Sequence, residues 1–315
     1  MSAETEVQYR CPGERHPIDR AIHLGRLAAF YPGCRNCPHR EDTGTLSPLQ
    51  VRQLAELGPP KREGDLLGGE GISGVYYNQL APAAARKFAT SVGVVLREDA
   101  SARTHAPVVA VGSDGRTLSA ELIAAASEGL RAAGCPVSDV GNVTAGGLVR
   151  AIAHFQAEGG LYVGNMAGES HTASLRVWGH AGCPWSAPGK LDAVRTIFER
   201  GADRPVRCYA GLQRSAIEEV YLSELQPQFH ALRPLAMVLD TSCGPLVKTL
   251  ARLLSRSACT IIRPSEPEPH SWSKPAPGKA KRGPAPSHRQ FRLELVCRTV
   301  RNERAHFGIW IDGDG

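Results

Sequence analysis

The stretch from Pro107 to Val137, "PVVAVGSDGRTLSAELIAAASEGLRAAGCPV", constrains the fold more than any other part of the chain. A short β-branched run closes on turn residues; Leu122, Ala126 and Leu130 then share one helical face, Gly134 stands where a helix would end, and a second apolar run follows. Two strands joined by a helix of this length can lie parallel in one sheet. Ser119 is the expected N-cap of that helix. The alternation continues through "GGLVRAIAHFQAEGG", "LYVG" and "SLRVWG" to about Gly201. Residues 69–203 are therefore expected to form an α/β domain, with a mixed sheet covered by helices and its functional loops at the carboxyl ends of strands.

Further along, "LAMVLDTSCGPLVKTLARLLSRSACTIIRP" repeats the order strand, loop, helix, strand, with Pro245 suited to a first helical turn. A helix from about Gln290 to Asn302 and the strand in "HFGIWIDGDG" extend this into a second α/β unit over residues 204–315. An insert at about 264–289 is too rich in proline and charge to pack. Residues 1–65, rich in Cys, His, Arg and Pro, read as an appended N-terminal module joined through the breaker-rich "LGPPKREGDLLGGEG".

Charge and cysteine usage exclude several classes. The net charge of +6 is supplied by Lys274, Lys279, Lys281, Arg282, Arg289 and Arg292, which lie in one acid-free segment between Pro269 and Leu293. That segment reads as a solvated linker, and with only Trp272 and Phe291 as aromatics it lacks the stacking residues of a nucleic-acid groove. No apolar run approaches the roughly 20 residues of a membrane-spanning helix, and the amino terminus has neither the basic start nor the apolar centre of a signal peptide. Nine scattered cysteines, an odd number, fit a reducing compartment, so the expected location is cytoplasmic.

Four groups of residues can carry chemistry. Asp312 and Asp314 alternate with glycines after an apolar strand, an open arrangement suited to a hard cation such as Mg²⁺, or else an ordinary Asp-Gly turn. Asp114 and Arg116 lie between a strand and a helix start, where they could serve a phosphate or an anionic loop, or brace the turn as an ion pair. Ser170 and His171 suggest a nucleophile and base, but adjacent residues seldom orient toward each other. Cys11, His16, Cys34 and Cys37, the last two in a "CRNC" knuckle, have the donor types of a Zn²⁺ site; free thiols or an iron-sulfur site are the alternatives.

Taken in order, "GISGVYYNQ" at Gly71, "VGSDGRTLSA" at Val111, "GGLYVGNMAGESHTASLRVWG" at Gly159 and "FGIWIDGDG" at Phe307 resemble the motifs of the α-D-phosphohexomutase superfamily, the phosphoglucomutases and phosphomannomutases. The family counterparts are a "TSGIRG"-like turn, a "VGRDTRLSS"-like loop, a "TASHNP" phosphoserine loop and a "DGDGDR" metal loop. The resemblance covers about residues 69–315 and implies two α/β/α domains of phosphohexomutase type with mixed sheets. It also implies hexose phosphates as substrates, intramolecular phosphotransfer as the reaction, which would make the protein an isomerase of carbohydrate metabolism, and Mg²⁺ as cofactor.

Within the loop at 164–174 the resemblance places Met166 at the phosphoserine position, with Asn165 before it and Ala167 at the histidine. Bringing Ser170 into that place requires a four-residue insertion and a matching deletion. Tyr76 and Tyr77 stand where the family turn has Arg and Gly, and Ser113 replaces the first Arg of the second motif while Asp114 and Arg116 are kept. The given sequence stops inside the metal loop, before the family's third aspartate and its third and fourth domains. The expectation is a divergent mutase-like chain, catalytically impaired by itself. A reading from another class is a zinc-containing regulatory or interaction module, with a protein partner, on a recycled scaffold.

Overall fold

The computed structural model describes residues 8–11, 16–29, 31–34, 37–47, 50–51, 54, 66–100, 105–165, 172–201, 209–265 and 288–313. Six strands form the larger sheet: β1 (Gly71–Val75), β2 (Val109–Ser113), β3 (Val137–Asn142), β4 (Gly159–Gly164), β5 (Thr172–Gly179) and β6 (Leu212–Arg214). Their spatial order is β1-β5-β4-β2-β3-β6, and only β5 runs against the others. The central strand β2 is buried along its whole length, as a parallel strand covered on both faces must be.

Helices cover both faces. Pro82–Asp99, Thr117–Ala132 and Lys190–Arg200 lie over a core containing Phe88, Val92, Leu122, Leu130, Leu191 and Phe198. Ala145–His154 covers the opposite core of Leu148, Ile152, Tyr162, Trp178 and Ile217. Phe88 meets Phe198, and Tyr162 meets Trp178, edge to face at 6.3 and 6.2 Å, a geometry the aromatic quadrupoles favour.

Two of these helices touch through glycine. A Cβ on Gly129 would lie 2.3 Å from the Arg86 carbonyl oxygen and 3.0 Å from the Thr90 nitrogen. Both are backbone atoms, so no rotamer change can make room. Gly129→Ala is therefore expected to cost about 1–3 kcal/mol despite alanine's better helix propensity, as urea denaturation can measure.

Three expectations need correction. The helix after β2 begins at Thr117 with Arg116 as N-cap, and Ser119, the expected cap, instead donates its hydroxyl to Asp114 Oδ1 at 2.6 Å. A buried carboxylate needs its donors more than a helix start needs a side-chain cap. Gly134, by contrast, follows the helix end at φ 85°, the left-handed conformation glycine adopts without penalty. Second, residues Leu212–Arg214, expected in the second unit, extend the first sheet as an edge strand with Val137 opposite Leu212. All three are exposed, so no apolar alternation announces the strand.

The smaller sheet contains β7 (Ala236–Thr241), β8 (Thr260–Ile262) and β9 (Phe307–Ile311), all parallel, in the order β8-β7-β9. The helices Gly244–Leu254, with Pro245 in its first turn, and His288–Asn302 connect these strands. The third correction concerns the basic segment. Arg289 and Arg292 belong to the second of these helices, where Arg289 lies over the Trp310 ring and Arg292 grips Asp240, Nε to Oδ2 at 2.7 Å, with a second bond from Nη2 to Oδ1. The helix is anchored by buried Leu295 and Val296, and the buried carboxylate holds the arginine out of solvent. Lys274, Lys279, Lys281, Arg282 and the insert at 266–287 lie outside the described residues.

Of residues 1–65, the described parts include the helix Arg20–Ala28, capped by Asp19 accepting from the Ile22 N–H at 2.8 Å. Leu27, Cys34 and Leu54 pack with Val75 at the end of β1, so this segment rests on the larger sheet.

Candidate functional site

The ends of four strands converge. β2 delivers Asp114, Gly115 and Arg116, and the Asp114 N–H donates to the Val163 carbonyl of β4 at 3.0 Å. Asp114 is 1% exposed. Its Oδ2 accepts from Arg116 Nε at 2.5 Å, while Oδ1 accepts from the Ser119 hydroxyl and from the Arg116 N–H at 3.1 Å. A carboxylate this deep is stable only when its lone pairs are filled in this way.

The rest of the Arg116 guanidinium reaches sideways. Nη1 donates to the Thr172 carbonyl at 2.8 Å and Nη2 to the Gly164 carbonyl at 2.9 Å. These carbonyls belong to the last residue of β4 and the first of β5, so one arginine ties both ends of the loop at 165–171. A second tie is Thr172 Oγ1 donating to Asn165 Oδ1 at 2.7 Å, with Asn165 fully buried. Arg116 thus braces both ends of this loop. Met166, Ser170 and His171 lie outside the described residues.

The smaller sheet supplies the opposing wall. A Cβ on Gly313 would fall 2.5 Å from Asn165 Cβ, 3.0 Å from Ser242 Oγ and 3.3 Å from the Asn165 carbonyl. Only glycine lets the loop after β9 approach the end of β4 this closely. Thr241 Oγ1 donates to the Asp312 carbonyl at 3.2 Å and accepts from the Cys243 N–H at 3.1 Å, so the ends of β7 and β9 are joined. A Cβ on Gly244 would stand 3.9 Å from the Asp114 carbonyl. Sequence motifs pointed to Asp114, Arg116 and Asp312, but not to Asn165, Thr172, Thr241 or Ser242 as their neighbours; strand-end position in the folded sheet was the missing signal.

Beside this junction lies a shallow pocket lined by Tyr76, Gly115, Arg116, Thr117, Leu118 and Glu121. The Tyr76 hydroxyl donates to Glu121 Oε2 at 2.8 Å, and burial together with this bond pushes its pKa up to about 12. Tyr76 therefore stays a neutral phenol. Tyr77 has φ 64° and is 47% exposed, a left-handed conformation that costs a residue with a Cβ roughly 1–2 kcal/mol. Tyr77→Gly would relieve that strain and add unfolded-state entropy, so its net effect should be a gain of no more than about 1 kcal/mol. A β-branched Tyr77→Val should lose more than about 1 kcal/mol in the same denaturation assay.

Asp312 is described and Asp314 is not. An aspartate on a glycine loop is the kind of donor a hard cation takes, but Asp312 is the one carboxylate of this loop among the described residues, and its carbonyl already accepts from Thr241 Oγ1. Among the described residues no group of three or more His, Cys, Asp or Glu side chains is gathered for a metal ion. In the amino-terminal segment Cys11, Cys34 and Cys37 are buried and His16 is exposed. Burial, followed by the neighbouring Cys37 thiol, pushes the Cys11 pKa up to about 11. The eight described cysteines are all unbridged. No described helix is long and apolar enough to cross a membrane.

Fold and site together define an α/β protein of the kind that gathers its functional groups on loops at the carboxyl ends of parallel strands. Residues 64–201 match the family model of phosphoglucomutase/phosphomannomutase, alpha/beta/alpha domain I. A phosphoglucomutase/phosphomannomutase of Thermococcus kodakarensis is 26% identical over 258 residues, covering 80% of this chain and 54% of that one. A phosphoglucosamine mutase of a Synechococcus species is 27% identical over 251 residues, covering 78% of this chain and 50% of that one. The crystal structure of a phosphoglucomutase/phosphomannomutase family protein from Burkholderia thailandensis superposes with a TM-score of 0.62 at 19% identity, covering 81% of this chain and 53% of that one. Residues 64–201 thus carry domain I of the phosphoglucomutase/phosphomannomutase family, and the chain, similar to these mutases at about 26% identity, spans about half the length of the curated relatives it matches.

Proposed function

We propose that this chain is a phosphohexomutase-like protein that binds hexose phosphates, with Mg²⁺ at Asp312 and Asp314, and that does not form the covalent phosphoenzyme of a working mutase by itself. The observation that carries the reading is the Arg116 brace. A buried ion pair, two backbone carbonyls and the Asn165–Thr172 bond hold both ends of the loop opposite the Asp312–Gly313 turn. The frame for phosphotransfer is kept, yet its central residue by resemblance is Met166.

Phosphoryl transfer to a side chain forms an oxygen–phosphorus bond as the sugar oxygen leaves, and the hydroxyl proton passes to the leaving group. A methionine thioether has no proton to give and would become an unstable sulfonium. The bound cation would offset charge on the phosphoryl oxygens. The chain's own residues contribute positioning: Arg116 and Asn165 fix the loop, and Thr241 fixes the turn bearing Asp312.

The division into residues 1–65, 69–203 and 204–315 is part of this reading, with β6 moved to the first α/β unit. The cytoplasmic setting rests on the odd number of cysteines.

Incubation with glucose 1,6-bisphosphate and Mg²⁺, followed by intact mass spectrometry, tests the chemistry. No phosphoryl adduct is expected, while calorimetry should show hexose phosphate binding that weakens when Mg²⁺ is chelated. A phosphate mapped to Ser170 would replace this reading with a working mutase that uses a shifted nucleophile.

A further inference from the structure

Resting on the hexose phosphate reading above, we propose that Arg263 is a phosphate-binding residue of this chain, set at the carboxyl ends of the smaller sheet with Ser242 and the first turn of the helix Gly244–Leu254 beside it. Arg263 directly follows β8 and is exposed. Its Nη2 donates to the Thr241 carbonyl at 3.2 Å, which holds the guanidinium at the end of β7. Thr241 is also the residue whose hydroxyl donates to the Asp312 carbonyl, so one residue fixes both Arg263 and the loop after β9.

Other arginines at the strand ends are already engaged. Arg116 is paired with Asp114, Arg292 with Asp240, and Arg289 lies over the Trp310 ring. Among the described residues no carboxylate pairs with Arg263, and the Thr241 carbonyl takes one of its five N–H donors. The described residues of the loops after β7, β8 and β9 hold a single acid, Asp312, so without Arg263 these loops would repel a phosphate. A guanidinium offers a phosphate two parallel donors and keeps its charge throughout the physiological pH range.

Two further groups stand at the same strand ends. Ser242 is exposed, and its Oγ is the atom 3.0 Å from where a Cβ on Gly313 would lie, which puts the hydroxyl between the ends of β7 and β9. The helix Gly244–Leu254 begins three residues after Thr241; its N-cap, Cys243, makes no side-chain cap hydrogen bond, and the N–H groups of its first turn have no partner within the helix. A Cβ on Gly244 would meet only the Asp114 carbonyl oxygen, at 3.9 Å, so a ligand can approach this backbone closely on the side toward the larger sheet. The helix start by itself selects no ligand; the unpaired guanidinium beside it selects an anion.

Calorimetric titration of the full chain with glucose 6-phosphate, with Mg²⁺ present throughout, compares wild type, Arg263→Met, Arg263→Lys and Arg252→Met. Arg252 stands in the last turn of the same helix, paired with Glu218 and Glu219, and serves as the control. Arg263→Met is expected to weaken binding at least about tenfold and to flatten its salt dependence, Arg263→Lys to weaken it less, and Arg252→Met to leave it within about twofold. Unchanged binding in Arg263→Met, or an equal loss in Arg252→Met, would overturn the proposal and leave the hexose phosphate reading standing. If the wild type takes no glucose 6-phosphate, that reading fails and inorganic phosphate alone becomes the probe: binding that is lost in Arg263→Met would keep the site, and no binding would overturn it.

Discussion

Replacing Arg116 with alanine should destabilise the protein by about 3–5 kcal/mol, because it leaves the Asp114 carboxylate charged and buried with its main donor gone. The side chain of Asp114 is fully buried and that of Arg116 is 13% exposed, so solvent cannot take over the interaction. The loop ends are also released, since the Gly164 and Thr172 carbonyls lose their guanidinium donors. The double variant Asp114→Ala, Arg116→Ala should be more stable than Arg116→Ala alone, because the stranded charge has gone. Arg116→Lys keeps the charge but cannot span all three acceptors and should fall between. Urea denaturation of the four proteins measures the series; a loss below about 1 kcal/mol for Arg116→Ala would place the pair with ordinary surface ion pairs.

Met166→Ser should convert a chain that takes no phosphate from glucose 1,6-bisphosphate into one that carries a single phosphoryl group. The substitution supplies a hydroxyl oxygen and its transferable proton within a loop whose ends are already tied. Intact mass spectrometry reads the adduct, and peptide mapping should place it on residue 166. An adduct at Ser170 in both wild-type and variant protein would show that the loop's register is shifted by four residues. An unmodified variant would locate the impairment elsewhere, with Tyr76 the first suspect, since by resemblance a neutral phenol paired with Glu121 replaces a cationic arginine.

Much of the larger sheet was legible because its signals are local. The β-branched run of β2, the one-sided apolar spacing of Leu122, Ala126 and Leu130, and Gly134 after the helix all express backbone and burial preferences within a few residues. Asp114, Arg116 and Asp312 could be singled out for a similar reason, since charged residues on glycine-containing loops after apolar strands stand out from the pattern around them. The edge strand β6 was not legible, because its exposed Leu-Gln-Arg carries no alternation and is defined only by hydrogen bonds to β3. Nor was the position of Arg292, which by composition belongs with a solvated basic run and in the fold is held by a carboxylate that is 2% exposed.

By itself the sequence determined the α/β alternation, the order of the loops that can carry chemistry, and the absence of a serine from the center of the loop in the ungapped register. Tertiary structure alone decided what those residues meet: Arg116 spends its guanidinium on the carbonyls of β4 and β5, and Gly313 lets the turn after β9 close against Asn165. The physical reason is separation along the chain. These contacts join residues roughly 50 to 150 positions apart, so they depend on how strands pair and sheets pack rather than on any preference a short segment can express.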